Sequence, residues 1–401
     1  MLLKFIVRDI LKVNDLLYKR GLRLVSNSGY LKMIYPAYKI CLRETLNILK
    51  AVKSVSTPHM IVLTDEIASA IAAAKYDDYW QNIIDSGNYK DTFLGKIICL
   101  CGAQLMTLQT FNKNIHYPYH EFLASLEEIK SQSAALEVFY RRLADESSRL
   151  AFDHLFRCRI ARPFLVSGFQ ECFPMPVPTG VVQATRKQID TVKGCLPMLE
   201  GAMTDEWESL CVTIWLREQY RLPGKCEVTE GDVVFDVGGC FGETAIYFSR
   251  FCGDAGKVFS FEPHAWYFSH LQRNVAPYRA IHPVHAGLGV EDAEVSMEFN
   301  GKVSPAAIRT IDGFVEAFDL RHIDFIKMDI EGAERCALTS AVSTMRKMRP
   351  KLAISVYHLP DDLRVLSQII HDAYGDACSI YMKNVTNTHN ETVLFVVPDA
   401  I

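Results

Sequence analysis

The chain has 401 residues, of which 49% are hydrophobic, 22% charged and 11% aromatic. At roughly 150 residues per domain that is length for two or three domains with real cores, and the balance excludes wholesale disorder, a collagen-like fibre and a small disulfide-stapled scaffold. Lys and Arg number 43 against 47 Asp and Glu, a net charge of −4, so no chain-wide basic field exists to hold nucleic acid or an anionic membrane by electrostatics alone.

Met1 to Arg20 is interrupted by charges every few residues, a pattern for an amphipathic helix packed on the body and not for a signal peptide. No run reaches the 18 or so apolar residues of a membrane span. Apolar spacing predicts helices over residues 2–24 and 40–53. Met60-Ile61-Val62-Leu63 and Lys96-Ile97-Ile98-Cys99-Leu100-Cys101 read as short buried strands. Residues 120–160 carry a long helical pattern. From Pro163 to Gly180 prolines and glycines crowd together and stop helices. The expected organisation is an accessory domain over 1–182, mainly helical with a few short strands, and a second domain over 183–401. Thr204-Asp205-Glu206-Trp207 starts a helix expected to run to about Tyr220, where Pro223-Gly224 follows.

From Gly231 onward apolar strand-like runs alternate with helical patterns. Strands are expected at Val233–Val237, Lys257–Phe261, His282–Ala286, Phe325–Asp329 and Leu352–Tyr357. Helices are expected at Glu243–Phe251, Ala265–Val275, Glu334–Met348 and Asp361–Ala373. Such alternation predicts an α/β fold with a parallel sheet covered on both faces. Ser379–Asn384 and Thr392–Val397, joined by the polar Asn387-Thr388-His389-Asn390, predict a closing antiparallel hairpin. That ending suits a class I methyltransferase sheet better than a dinucleotide-binding one. The twelve cysteines form no Cys-x-x-Cys pair, and many sit in apolar runs. They read as free, buried thiols of a reducing cytoplasm.

Five constellations carry chemistry. Asp236-Val237-Gly238-Gly239-Cys240-Phe241-Gly242-Glu243-Thr244 joins a strand to a helix through a glycine turn. Such a turn lets a ligand approach the backbone and sets an anion at the helix N-terminus. Gly-Gly-x-x-Gly, with an acid before it, departs from the nicotinamide fingerprint Gly-x-Gly-x-x-Gly. Glu262, before Pro263 and about twenty residues after Gly242, can accept two hydrogen bonds from a ribose diol. His285-Ala286-Gly287-Leu288-Gly289 follows the third strand, where an adenine could lie. Asp329 and Glu331 stand beyond the fourth strand, at the crevice where open α/β sheets bind ligands. Two acids there could orient a cofactor ammonium, accept a proton or hold a divalent cation; no metal is assigned. Glu334 reads as a helix cap. His358 ends the fifth strand on the same rim.

In this order, Phe-Asp-Val-Gly-Gly-x-x-Gly-Glu-Thr, Phe-Glu-Pro, Ile-Lys-Met-Asp-Ile-Glu-Gly-Ala-Glu and Ser-Val-Tyr-His resemble the FkbM-type methyltransferases. The similarity covers about Gly231 to Pro398, with weaker agreement at Asp145-Glu146-Ser147-Ser148-Arg149. The resemblance implies S-adenosyl-L-methionine as cofactor and methylation of a hydroxyl on a sugar, glycan or natural product. It implies that Asp236, Val237, Gly238, Gly239, Gly242 and Thr244 lie at the methionine end of the cofactor and that Glu262 and Pro263 lie at its ribose. It sets Gly287 and Leu288 at the adenine, and Asp329, Glu331 and His358 at the reaction centre. Glu331 or His358 would be the base, and Asp329 would hold cofactor or acceptor. The expected partner is a small-molecule or glycan acceptor, with no nucleic acid and no transmembrane segment; the sequence leaves oligomeric state open. Rival readings are a nicotinamide- or nucleotide-binding oxidoreductase, a non-catalytic methyltransferase-like scaffold and an RNA 2′-O-methyltransferase. The acidic balance weighs against the last.

Overall fold

The computed structural model describes residues 43, 46–47, 49–50, 58–73, 119–161, 172–173, 186–195, 199–202, 204–299, 302–386 and 388–399. The helix expected over 2–24, the strand over 96–101 and nearly all of the proline-rich boundary lie outside them. The chain divides into two compact units, 1–137 with 156–174, and 138–155 with 175–401.

In the first unit, helix α1 spans Pro58–Ala73. It overturns the strand expected at Met60–Leu63. Met60, Leu63, Ile67 and Ile71 are all buried, with Val62 63% exposed. Steps of three and four residues make one helical face, and Pro58 suits a first helical turn. A four-residue apolar window hides that longer period.

The helical pattern over 120–160 is two helices, α2 (Tyr119–Arg142) and α3 (Glu146–Ile160). Asp145 separates them. Its Oδ1 accepts from the Ser148 backbone N–H at 2.9 Å and from Ser148 Oγ at 2.6 Å, the geometry of a helix N-cap.

The second unit is built on a seven-stranded sheet, β1 (Val233–Val237), β2 (Lys257–Phe261), β3 (Ile281–Val284), β7 (Phe325–Met328), β8 (Lys351–Ser355), β9 (Cys378–Asn384) and β10 (Thr392–Pro398), in the order β3-β2-β1-β7-β8-β10-β9. All neighbours are parallel except β10, which runs antiparallel to both β8 and β9. β1 and β7 are wholly buried, as a sheet covered on both faces requires. The strand order turns back between β1 and β7, so a crevice opens beyond their carboxyl ends.

The remaining strands form a second sheet missing from the sequence reading. It holds β4 (Gly287–Leu288), β5 (Ala293–Phe299) and β6 (Lys302–Arg309) in the order β4-β6-β5. Asn300-Gly301, between β5 and β6, is a strong short-range hairpin signal. Helix α4 (Thr204–Leu210) continues as a π-helical segment, Cys211–Leu216. The helix therefore stops short of Tyr220, and Glu218 sits at φ 50°. The helix expected at Glu334–Met348 is also two, α8 (Glu334–Thr339) and α9 (Val342–Met348), following α5 (Glu243–Cys252), α6 (Ala265–Val275) and α7 (Ile311–Ala317). The Ser340 carbonyl and hydroxyl at the break receive the Asp312 and Ile311 N–H groups of α7. The last helix is α10 (Asp362–Tyr374). Among the described residues no helix is long and apolar enough to cross a membrane.

Candidate active site

The glycine turn connects β1 to α5 and presses on the end of β7. Gly238 has φ 89°, and a Cβ there would lie 2.0 Å from the Asp329 carbonyl oxygen. No side chain fits that space. Gly242, at φ 96°, begins α5. Every N–H from 238 to 242 is already bonded within the protein. Gly238 and Gly239 donate to the Phe261 carbonyl, Gly242 donates to the Gly239 carbonyl, Cys240 to Glu262 Oε2 and Phe241 to Glu243 Oε2. The turn is thus preorganised, but its own N–H groups are not the open anion cradle expected of it.

Beneath the turn lies a buried charge cluster. Asp236 is fully buried. Its two oxygens accept from Thr244 Oγ1 and Ser260 Oγ, each at 2.7 Å. Lys327 Nζ stands 3.2 Å from Asp236 Oδ1 and donates to the carbonyls of Gly238 at 2.7 Å and Val237 at 3.3 Å. Burial alone would lower the Lys327 pKa, yet the carboxylates of Asp236, Asp329 and Glu243 raise it. Asp236 and Thr244 therefore support the loop from below, with their side chains spent on each other.

Glu262 follows β2 and is 7% exposed. Each of its oxygens takes one backbone N–H, from Cys240 at 3.0 Å and from His264 at 2.8 Å. Burial pushes it up to about 7, against those two bonds and the Lys327 charge. A carboxylate oxygen has room for a second donor, so both oxygens can still receive the hydroxyls of a vicinal diol. Gly287 packs on Pro263: a Cβ there would meet Pro263 Cβ at 3.2 Å. Gly287 and Leu288 are both buried in β4.

On the other side of the switch point Asp329 gathers partners. Tyr220 Oη donates to its Oδ2, Tyr357 Oη lies 3.3 Å from its Oδ1, and His358 Nε2 lies 3.2 Å from its Oδ1. His358 Nδ1 is 2.9 Å from Glu334 Oε1, which also accepts the Ile330 N–H at 2.7 Å. Burial would lower His358, but the carboxylates of Asp329 and Glu334 push it up to about 11. Burial would raise Asp329, but His358, Lys327 and Tyr220 hold it down to about 2. Both carboxylates thus favour the protonated form of His358, which makes it a poor proton acceptor. Donor atoms of Asp329, Glu334 and His358 lie within 4.8 Å of one another, a spacing that could suit a metal ion. The protonated His358 ring offsets one of the two carboxylate charges there. Glu331, at φ 58°, holds its carboxylate 93% exposed, 3.9 Å from His358 Nε2.

The structure thus groups Gly238, Gly239, Gly242 and Glu262 on one side of the β1–β7 crevice and Asp329, Glu331 and His358 on the other. Tyr357, inside the Ser-Val-Tyr-His motif, also reaches this site, as do Gln219, Tyr220 and Glu391, which no sequence motif marks.

A seven-stranded sheet of this order, with acids beyond β2 and β7, defines a class I methyltransferase-like α/β fold. Residues 236–377 match the model of the methyltransferase FkbM domain. Within those bounds the chain carries a methyltransferase FkbM domain. Among solved structures, a methyltransferase FkbM from Methylobacillus flagellatus KT aligns at 21% identity and TM-score 0.46, covering 68% of this chain and 59% of that one. The fibrillarin of Aeropyrum pernix, with natively bound S-adenosyl-L-methionine, aligns at 16% identity and TM-score 0.29 over 42% of this chain and 67% of that one. A SAM-dependent O-methyltransferase from Thermotoga maritima aligns at 13% identity and TM-score 0.29 over 43% and 62%. A search of curated proteins finds no match.

Proposed function

We propose that this chain methylates a hydroxyl of a sugar, glycan or natural-product acceptor by in-line transfer. The observation that carries the reading is the pairing of an acid able to take a diol, Glu262, with the cluster of Asp329, Glu331 and His358 across the switch point. S-adenosylmethionine supplies a methyl group on a positively charged sulfur, which needs no further activation. The protein's task is then to align the acceptor oxygen and receive its proton.

Glu262 and Pro263 would hold the ribose, and Gly287 and Leu288 would border the adenine. Val237, Gly238, Gly239 and Gly242 would line the methionine end, supported by Asp236 and Thr244. The negative Asp329 favours the positively charged end of the cofactor, and His358 positions Asp329. The exposed Glu331 belongs to the acceptor side. That side carries several acids and would repel a phosphate backbone, which favours a neutral acceptor over nucleic acid. Residues 1–182 are assigned an accessory role and 183–401 the catalytic one, with 138–155 joining the catalytic unit.

Calorimetry on Glu262→Ala tests the ribose assignment. Hydrogen bonds to a charged group contribute about 1.5–3 kcal/mol, so affinity for S-adenosylmethionine should fall about 10- to 100-fold. Unchanged affinity refutes it, and binding of NADH in place of S-adenosylmethionine would refute the whole reading.

A further inference from the structure

The polar turn between β9 and β10 reads in the sequence as a connection only. In the structure it brings Glu391 against Gln219, in the loop that bears Tyr220. Asn384 Nδ2 donates to the carbonyls of Thr388 at 2.9 Å and Asn390 at 3.0 Å, and to Thr392 Oγ1 at 2.7 Å. The bend is therefore fixed from within. Glu391 follows at φ 60°, a left-handed conformation that is costly for a non-glycine residue and is concentrated at functional sites. Its carboxylate accepts from Gln219 Nε2. The same amide donates to Tyr220 Oη at 2.9 Å, and Tyr220 Oη donates to Asp329. An unbroken hydrogen-bonded chain joins Glu391 to the acid of the reaction centre. The groups that face Glu391 are Asp329, Glu331 and His358, with the hydroxyls of Tyr220 and Tyr357.

We infer that Glu391 is the group that takes the acceptor's proton, a role that rests on the O-methylation reading above. Its competitors fail on geometry. Asp329 is enclosed by Tyr220, Tyr357 and His358. His358 has a carboxylate against each ring nitrogen, Asp329 at Nε2 and Glu334 at Nδ1. The Glu331 carboxylate is in water. Glu391 is held in place by the Gln219 amide and joined through that amide and Tyr220 to Asp329. Burial and the charge of Asp329 raise it to about 7, with the Gln219 bond pulling the other way. A base matched to neutral pH is the efficient one. In the step, the acceptor oxygen forms a bond to the methyl carbon while the sulfur–carbon bond breaks. That electron pair stays on sulfur, which loses its positive charge. The hydroxyl proton passes to Glu391, which becomes neutral and returns the proton to water.

Infrared titration of the full-length, cofactor-free protein tests the poise directly. A protonated-carboxyl band should titrate with a midpoint near 7, vanish in Glu391→Gln and shift its midpoint upward in Gln219→Leu. If no band lost in Glu391→Gln titrates between about pH 6 and 8, the inference is overturned. Methyl transfer from S-adenosylmethionine to a panel of methyl glycosides tests the role. Glu391→Gln should turn over about 100-fold more slowly or worse and lose the acid limb below about pH 7. Its cofactor affinity by calorimetry should stay within about twofold. Turnover within about threefold with the acid limb intact overturns the inference, as does a large loss of cofactor affinity. Wild-type protein inactive on every glycoside would count against that acceptor class, while the titration would still decide the state of Glu391.

Discussion

The buried pair of Lys327 and Asp236 shows how a single residue sets the site. Lys327 is 3% and Asp236 0% exposed, a burial that either charge alone could not sustain. Lys327 also ties the carbonyls of Val237 and Gly238, so one ammonium fixes both the strand end and the glycine turn. Lys327→Met removes this tie and leaves Asp236 buried with only the hydroxyls of Thr244 and Ser260. Breaking a buried pair from one side costs about 3–5 kcal/mol, and urea denaturation should show a loss of that order. A loss under about 1 kcal/mol would mean that the hydroxyls alone sustain the carboxylate. Asp236 was legible in the sequence as an acid before glycines, but not its role. The partner that neutralises it lies ninety residues downstream on the neighbouring strand, and spacing along one strand cannot report a cross-strand pair.

At the scale of elements, the segment after the π-helix decides what reaches Asp329. Lys383, on β9, donates to the carbonyls of Arg217 and Glu218 at 2.7 Å each and of Arg221 at 3.2 Å. The loop bearing Gln219 and Tyr220 is thereby clamped to the sheet. Lys383→Met should speed amide exchange across 217–221 by at least tenfold and lower stability by about 1–3 kcal/mol, since the carbonyls lose a charged donor. Unaltered exchange there would show that the loop holds itself. The main strands were legible because each is a short apolar run bounded by glycine, proline or charge, and β1, β2 and α6 match their expected limits. The second sheet was not, because β5 is largely solvent-facing (Glu294, Val295 and Ser296 are exposed) and gives no apolar run. Met60–Leu63 failed in the opposite way: a buried helical face has an apolar run at its start. The Asp145–Arg149 segment, a weak family match, has a structural use. Ala144 N–H donates to the Ile380 carbonyl at 2.9 Å and Ser148 Oγ receives the Met382 N–H at 3.0 Å, which covers the exposed edge of β9.

Over the whole molecule, the family match covers 236–377, whereas the site draws on residues beyond both of its ends: Gln219 and Tyr220 before it, Lys383 and Glu391 after it. Sequence motifs picked out the glycine turn and Glu262, which the structure brings together through the Cys240 N–H. On the opposite side they marked Asp329, Glu331 and His358 but missed Gln219, Tyr220 and Glu391, which arrive from the loop after the π-helix and the closing hairpin, segments far apart in sequence. The division into two compact units carries a thermodynamic consequence, because Glu262, Asp329 and Glu391 all belong to the unit of 138–155 and 175–401. A ligand that binds only the native form of one unit stabilises that unit by RT ln(1 + [L]/Kd), about 2.7 kcal/mol at a hundredfold excess over Kd. Scanning calorimetry of the full chain should therefore resolve two transitions, with S-adenosylhomocysteine moving one of them upward and leaving the other in place. A single transition that shifts as a whole would show that the units unfold together. In that case the residues of 1–137 and 156–174 would share in the stability of the site, and substitutions among their core residues, such as Ile67→Ala, would weaken cofactor binding from a distance.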